Sequence, residues 1–233
     1  MNFNGKTVVV TGAAGHLGRA VTNTFAELGA NLVLVDVRRE DLEAHGPAGQ
    51  HRLIAPTDLL APDAVRATVE AALAQFGRLD VLCNLAGGFR MGEAVHELSD
   101  ENLAFLFDIN VRTLLSMVRA VTPHMVAAGG GRIVNVGAYA ALHGAAQMGA
   151  YSATKAAVIR LTEAMAAELR ERNINVNCVL PTILDTPDNR AAMPDADPAR
   201  WVSPHDLASV IAFLASDAAR AVHGAAVPVS GLS

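Results

Sequence analysis

KTVVVTGAAGHLG, Lys6 to Gly18, is the stretch from which the rest of the chain can be read: an apolar β-branched run that ends in three glycines spaced three apart, Gly12, Gly15 and Gly18. Consecutive valines bounded by a turn signal describe a buried strand. Glycines at its end let the backbone turn tightly and let the following helix, which opens at His16, pack closely on the strand. They also let a pyrophosphate approach the free N–H groups at that helix's N-terminus. A glycine motif alone is weak evidence. This one follows a strand, opens a helix, and is followed at the end of the next strand by Asp36, eighteen residues beyond Gly18.

A carboxylate at Asp36 accepts hydrogen bonds from adenosine ribose hydroxyls and repels a 2′-phosphate, so NAD is expected over NADP. Arg38 and Arg39 pull the other way if they turn toward a phosphate, and are solvated charges on a turn if they do not. Asp58, in PTDL after the third strand, either meets the adenine ring or supplies the N-terminal signal of the helix near Pro62.

Outward from Lys6, strand-like and helix-like patterns alternate. Strand signals cover Lys6–Val10, Asn31–Val35, His51–Ala55, Leu79–Asn84, Arg132–Val136, Ile174–Leu180 and Ala225–Val229. Helix signals cover His16–Gly29, Pro62–Gly77, Asp100–Ala128, Ala150–Asn173 and Pro204–Ser216. The alternation predicts an α/β fold, a single doubly wound parallel sheet of Rossmann type with helices on both faces. Gly29, Gly77, Gly129 to Gly131, Pro181 and Pro204 punctuate the junctions. No repeat, low-complexity tract or linker interrupts the pattern, so residues 1–233 read as one dinucleotide-binding domain. The stretch Thr186 to Trp201 carries three prolines that argue against a regular helix, and a substrate loop is expected near residues 186–204.

Composition narrows the class. The 233 residues are 52% hydrophobic and 18% charged, enough to bury a sizeable core, and the net charge of -5 is dispersed. Neither a nucleic-acid surface nor a membrane surface is expected. MNFNGKTVVVTG shows no basic n-region or long apolar h-region, and no later run is long enough to span a bilayer, so the expected location is the cytoplasm. Cys83 and Cys178 lie inside strand-like runs and read as buried small hydrophobes, with no disulfide or metal site.

Taken in order, TGAAGHLG, Asp36, Asp58, NLAG (Asn84 to Gly87), Asn110, YSATK (Tyr151 to Lys155) and PTILDT (Pro181 to Thr186) resemble the short-chain dehydrogenases/reductases over essentially the whole chain. The resemblance implies an oxidoreductase that binds NAD, or NADP. The implied cofactor contacts are Gly12, Gly15, His16, Leu17, Gly18, Asp36, Asp58, Asn84, Ala86, Gly87, Pro181, Ile183 and Thr186, together with Tyr151 and Lys155. Tyr151, Lys155 and Asn110 are the implied catalytic residues, Asn110 positioning a water in a proton relay and Lys155 holding the nicotinamide ribose. The family's strand and helix contacts imply a homodimer or homotetramer. Two positions depart from the family pattern: His16 stands where glycine is usual, and Thr182 replaces the glycine after Pro181.

Residue chemistry supports the same roles. Tyr151 and Lys155, at i and i+4, share one helix face. An ammonium beside a phenol favours the phenolate, and an oxidised nicotinamide adds a second positive charge, so the tyrosine is expected to exchange its proton closer to neutral pH than about 10. The resemblance implies a further departure: the family pattern has a serine thirteen residues before the tyrosine, and here that position is Ala138. Losing a hydrogen-bond donor to a developing oxyanion costs roughly 10²- to 10³-fold in rate where it is needed. Tyr139, His143, Gln147 and Ser152 are nearby in sequence as substitutes.

GAYAALHG (Gly137 to Gly144), LCNLAGGF (Leu82 to Phe89) and LDTPDNRAAMPDADPARW (Leu184 to Trp201) look like parts of the dihydropteridine reductases, a branch that also carries alanine in place of the serine. That resemblance implies a quinonoid dihydropterin, whose nitrogens accept hydride and proton without forming an alkoxide. Phe89 and Trp201 either stack on such a ring or serve only as hydrophobic lid residues, with Ala138 and Tyr139 beside them. Two other functions compete with this one. The first is a carbonyl/alcohol oxidoreductase in which Tyr139 or a water replaces the serine, and the second is an NAD-binding regulator without turnover.

Overall fold

The computed structural model describes residues 1–44 and 46–233. Seven strands form one sheet: β1 (Thr7–Thr11), β2 (Asn31–Asp36), β3 (Arg52–Pro56), β4 (Val81–Asn84), β5 (Gly131–Val136), β6 (Ile174–Pro181) and β7 (Ala226–Val229). Every pairing is parallel and the order is β3-β2-β1-β4-β5-β6-β7. The order turns back between β1 and β4, where a crevice opens at the carboxyl ends of the strands. Thr11 there pairs in register with Asn84, and Asn84 with Asn135, so three polar side chains end neighbouring strands at the switch point.

Alternation along each strand divides the core between two faces. Val8 and Val10 of β1 pack with Val21 and Phe25 of α1 (His16–Glu27) and with Leu207 and Ile211 of an α-helix at Pro204–Ala215. Val9, Leu82 and Ile133 face the other way, against Leu114, Met117 and Val121 from one helix and Val158 and Ile159 from another. Each fully buried aliphatic side chain contributes about 1.5–3 kcal/mol, which makes the sheet a rigid base for whatever stands at its carboxyl edge.

The remaining helices are α2 (Arg39–Glu43), α3 (Pro62–Phe76), α4 (Asp100–Phe107), α5 (Thr113–Ala127), α6 (Gly149–Leu169) and α7 (Pro187–Ala192), and the helix at Pro204–Ala215 is α8. Three of these differ from the expected pattern. The five-residue α2 is too short for a periodic signal. The single helix expected over Asp100–Ala128 is interrupted by a π-helical turn at Asp108–Arg112, centred on Asn110. The stretch expected to be non-helical because of its prolines contains α7 and a 3₁₀ turn at Pro198–Arg200. Pro187 takes the first turn of α7, where no intrahelical N–H bond is required, and the Thr186 hydroxyl caps the turn by accepting the Asn189 N–H at 3.2 Å. Among the described residues no helix is long and apolar enough to cross a membrane.

Candidate active site

The glycine motif builds an anion cradle at the end of β1. Gly12 has φ +64°, and a Cβ there would lie 2.9 Å from the Ala86 nitrogen; a Cβ on Gly18 would lie 2.1 Å from the Gly12 carbonyl oxygen. Side chains at these two positions would push α1 off its strand. Gly15 caps α1 with no side-chain hydrogen bond, and the first turn carries no acidic residue. The opening N–H groups of α1 are therefore free to receive an anion, with the helix dipole behind them. His16 stands in that first turn with its ring half exposed, its Nε2 lying 3.5 Å from the Asp188 carboxylate of α7.

Asp36 is fixed at the other end of the same loop. Its carboxylate accepts the Ala14 N–H at 3.0 Å and the Val37 N–H at 2.8 Å, which ties β2 to the glycine turn and orients the acid at the strand's end. Arg38 pairs with Asp41 and Arg39 with Glu43, so both arginines are held by carboxylates of their own helix. Asp58 accepts the Leu60 N–H at 2.9 Å, closing a local turn ahead of α3.

Between these elements runs a crevice of about 550 Å³. Gly12, Gly15, His16, Leu17, Gly18, Asp36, Asp58, Ala86, Gly87 and Thr186 line it, all singled out from sequence. Leu60, Leu85, Ile109, Thr113 and Leu184 line it too, and their apolar spacing carried no signal that separated them from core. Its volume, the crowded glycine turn, the uncapped helix end and the fixed carboxylate are the parts a dinucleotide needs, so the residues present fit one.

Deeper in, polar side chains link the strand ends to the helices. Asn84 Nδ2 donates to Asn135 Oδ1 at 2.9 Å, Asn135 Nδ2 to the Thr162 hydroxyl at 2.9 Å, and that hydroxyl to the Val158 carbonyl at 2.8 Å. The Asn84 Oδ1, fully buried, has no hydrogen-bond partner among the described residues. An unpaired buried carbonyl oxygen is costly, so this atom is an acceptor open to a ligand or water. Asn135 and Thr162 were missed as site-supporting residues. The signal was an asparagine inside an otherwise apolar strand, where that residue type is depleted.

Asn110 holds the loop that follows β4. Its Oδ1 accepts the Gly88 N–H and its Nδ2 donates to the Gly88 carbonyl, both at 3.0 Å, with a third contact to the Thr154 hydroxyl at 3.3 Å. A Cβ on Gly87 would fall 2.9 Å from Asn110 Oδ1 and 3.2 Å from Lys155 Nζ, so these three residues converge on one point.

Tyr151 and Lys155 lie one turn apart in α6. Lys155 Nζ donates to the Val136 carbonyl at 2.9 Å, and burial pulls its pKa down to about 8, partly offset by Cys178. Burial acts on Tyr151 in the opposite sense and lifts its pKa to about 12. The expectation that Lys155 draws the tyrosine toward neutral pH is therefore not met. Desolvation dominates for both groups, and the ammonium is turned to a backbone carbonyl.

On the substrate side, Ala138 lies two residues beyond β5 at 5% exposure and precedes the 3₁₀ turn Tyr139–Ala141, leaving Tyr139 at the rim with 43% exposure. Phe89, 55% exposed, meets Tyr151 edge to face with centroids 4.8 Å apart. Trp201 is at 8% exposure, packed beneath the C-terminal turn where Gly231 crosses its backbone, so no indole face is offered to a ring. Pro181 ends β6 and Ile183 accepts the Val202 N–H at 2.9 Å; like Asn84, Asn110, Tyr151 and Lys155, they lie beyond the lining of the 550 Å³ crevice. Of the candidate substitutes for a hydroxyl at this position, Ser152 Oγ is buried with no hydrogen-bond partner among the described residues, while Gln147 is held at φ 60° with its backbone carbonyl accepting the Gly92 N–H at 3.0 Å. His143 is exposed on the same loop.

Comparison with known proteins matches residues 6–197 to the short chain dehydrogenase family model. A D-threitol dehydrogenase of Mycolicibacterium smegmatis is 35% identical, the alignment covering 98% of this chain and 93% of that protein. The cis-4-hydroxycyclohexanecarboxylate dehydrogenase of Sinomonas cyclohexanicum is 38% identical over 98% of this chain and 96% of its own length. Among solved structures, the 3-ketoacyl-(acyl-carrier-protein) reductase of Brucella melitensis complexed with NADH superposes with a TM-score of 0.88 at 31% identity, covering 98% of each chain. The protein is an oxidoreductase and belongs to the short-chain dehydrogenase family.

Proposed function

We propose that this enzyme is an NADH-dependent reductase of a planar nitrogen heterocycle of the quinonoid dihydropterin type. The observation that carries the reading is Ala138, buried two residues after β5, at the position where the family's hydroxyl donor is usual. A site without that donor suits a nitrogen-centred acceptor, on which no alkoxide develops.

In this reading Gly12, Gly15, His16, Leu17 and Gly18 hold the pyrophosphate, Asp36 the adenosine ribose and Asp58 the adenine. Asn84, Ala86, Gly87, Pro181, Ile183 and Thr186 hold the nicotinamide half. The Asp36 carboxylate, oriented by the Ala14 and Val37 N–H groups, favours NAD over NADP, because it would repel a 2′-phosphate. A nicotinamide held there would supply the hydride. Tyr151, kept protonated by burial, donates the proton to a ring nitrogen. Lys155, which donates to the Val136 carbonyl, would hold the nicotinamide ribose and stabilise the phenolate that results. Asn110 positions the water through which the proton is replaced. Phe89 offers its ring at the mouth, and Tyr139 stands at the rim.

Residues 186–204 form the lid over a one-domain enzyme, with Trp201 buried as its support rather than stacked on substrate. The enzyme works in the cytoplasm as a homodimer or homotetramer. The test is NADH oxidation with a quinonoid dihydropterin and a panel of simple ketones. Turnover confined to the pterin supports the reading, and turnover confined to the ketones overturns it. A second reading, a carbonyl/alcohol oxidoreductase with Tyr139 or a water as donor, is favoured by the alcohol substrates in the names of the threitol and hydroxycyclohexanecarboxylate enzymes.

A further inference from the structure

We infer that His16 and Asp188 are positioning residues that couple closure of the α7 lid to retention of the dinucleotide. The inference rests on the cofactor reading above.

His16 occupies the first turn of α1, and its ring reaches across the crevice to Asp188, Nε2 to Oδ2 at 3.5 Å. The family pattern has glycine here, which has no side chain to make such a contact, so the bridge belongs to this chain's own sequence. The partner is well placed. α7 is capped by Thr186, and its Asn189 amide donates to the Leu184 carbonyl at 2.8 Å. Arg190 grips Asp185 at 2.6 and 2.8 Å, and the Asp185 N–H donates to the Val202 carbonyl at 2.8 Å. These bonds fix α7 on its own base, and Asp188 extends from it toward α1.

Electrostatics gives the bridge its consequence. A pyrophosphate at the N-terminus of α1 is an anion, and an unpaired Asp188 carboxylate close by would repel it. The contact with His16 Nε2 directs that carboxylate to the imidazole and tethers the lid to the first turn of α1. Both groups are substantially exposed, so the contact adds little to folding. It acts on the rate at which the lid opens and the cofactor leaves.

The test is NADH release from the holoenzyme by stopped-flow displacement in wild type, His16→Gly, Asp188→Asn and the double variant. Each single change is expected to speed release by about two- to fivefold, the range an exposed ion pair supplies, with the double variant no faster than either single. Asp188→Asn leaves the phosphate loop untouched, so its effect does not depend on how α1 tolerates a new glycine, and Asp188→Glu is expected to restore slow release. Release unchanged in Asp188→Asn, or effects that multiply in the double variant, would overturn the coupling while NADH binding stays intact. Failure of the wild-type protein to bind NADH would instead overturn the cofactor reading, and this inference with it.

Discussion

The carbonyl of Val136, at the end of β5, receives the Lys155 ammonium at 2.9 Å, and the same burial that encloses this contact draws the lysine down to about 8. Lys155 is therefore charged below about pH 8 in the free enzyme and loses its charge above it. The value of kcat/KM for NADH-dependent reduction should fall as pH rises through about 8, since this quantity reports free-enzyme ionisations. A profile flat from pH 7 to 10 would show that the charge on Lys155 is not used.

The same shift is a statement about stability. A lysine whose folded pKa lies below its unfolded value binds fewer protons folded than unfolded between about pH 8 and 10.5, so its stability cost is complete below 8 and is relieved as pH rises through that window. Lys155→Met should raise stability at pH 7 by on the order of 1–3 kcal/mol, with the gain shrinking toward pH 10.5. Urea unfolding at the two pH values measures it.

Gly18 and Gly15 should behave differently. A Cβ at Gly18 would sit 2.1 Å from the Gly12 carbonyl, whereas at Gly15 its nearest neighbour is 3.4 Å away. Gly18→Ala is expected to destabilise by about 1–3 kcal/mol and to abolish NADH binding, while Gly15→Ala folds normally. Thermal unfolding and NADH titration check both.

Asp36→Asn removes the negative charge fixed by the Ala14 and Val37 N–H groups. NADH affinity should fall about 10-fold or more, the worth of hydrogen bonds to a charged group, while NADPH binding improves. Fluorescence titration with the two cofactors distinguishes this from a general loss of binding.

Ala138→Ser separates the two substrate readings. The new hydroxyl should leave pterin turnover within about threefold of wild type, whereas a ketone substrate would gain on the order of 10²-fold from the restored donor. Parallel kcat/KM values for the two substrate classes decide it.

The strands were legible because runs such as Thr7–Thr11 and Ile174–Pro181 are apolar and bounded by turn residues, and their observed limits lie within one or two residues of the expected ones. The placement of Gly12, Gly18 and Asp36 was legible for a related reason, since it depends on backbone shape and strand position. What stayed hidden depends on contacts distant in sequence. The π turn at Asn110 accompanies bonds to Gly88 and Thr154. Trp201 is covered by the chain's last residues, and α7 forms because Pro187 falls where a helix needs no N–H bond. The Tyr151 and Lys155 pKa values could not be read from their spacing either, because desolvation by the surrounding fold outweighs their mutual effect.

The most direct measurement is single-turnover hydride transfer from NADH to a quinonoid dihydropterin by wild type and Tyr151→Phe, with NADH affinity measured in parallel. The account predicts a rate at least about 10²-fold lower in the variant with unchanged NADH affinity, the contribution of a general acid. Equal rates in the two proteins would contradict it.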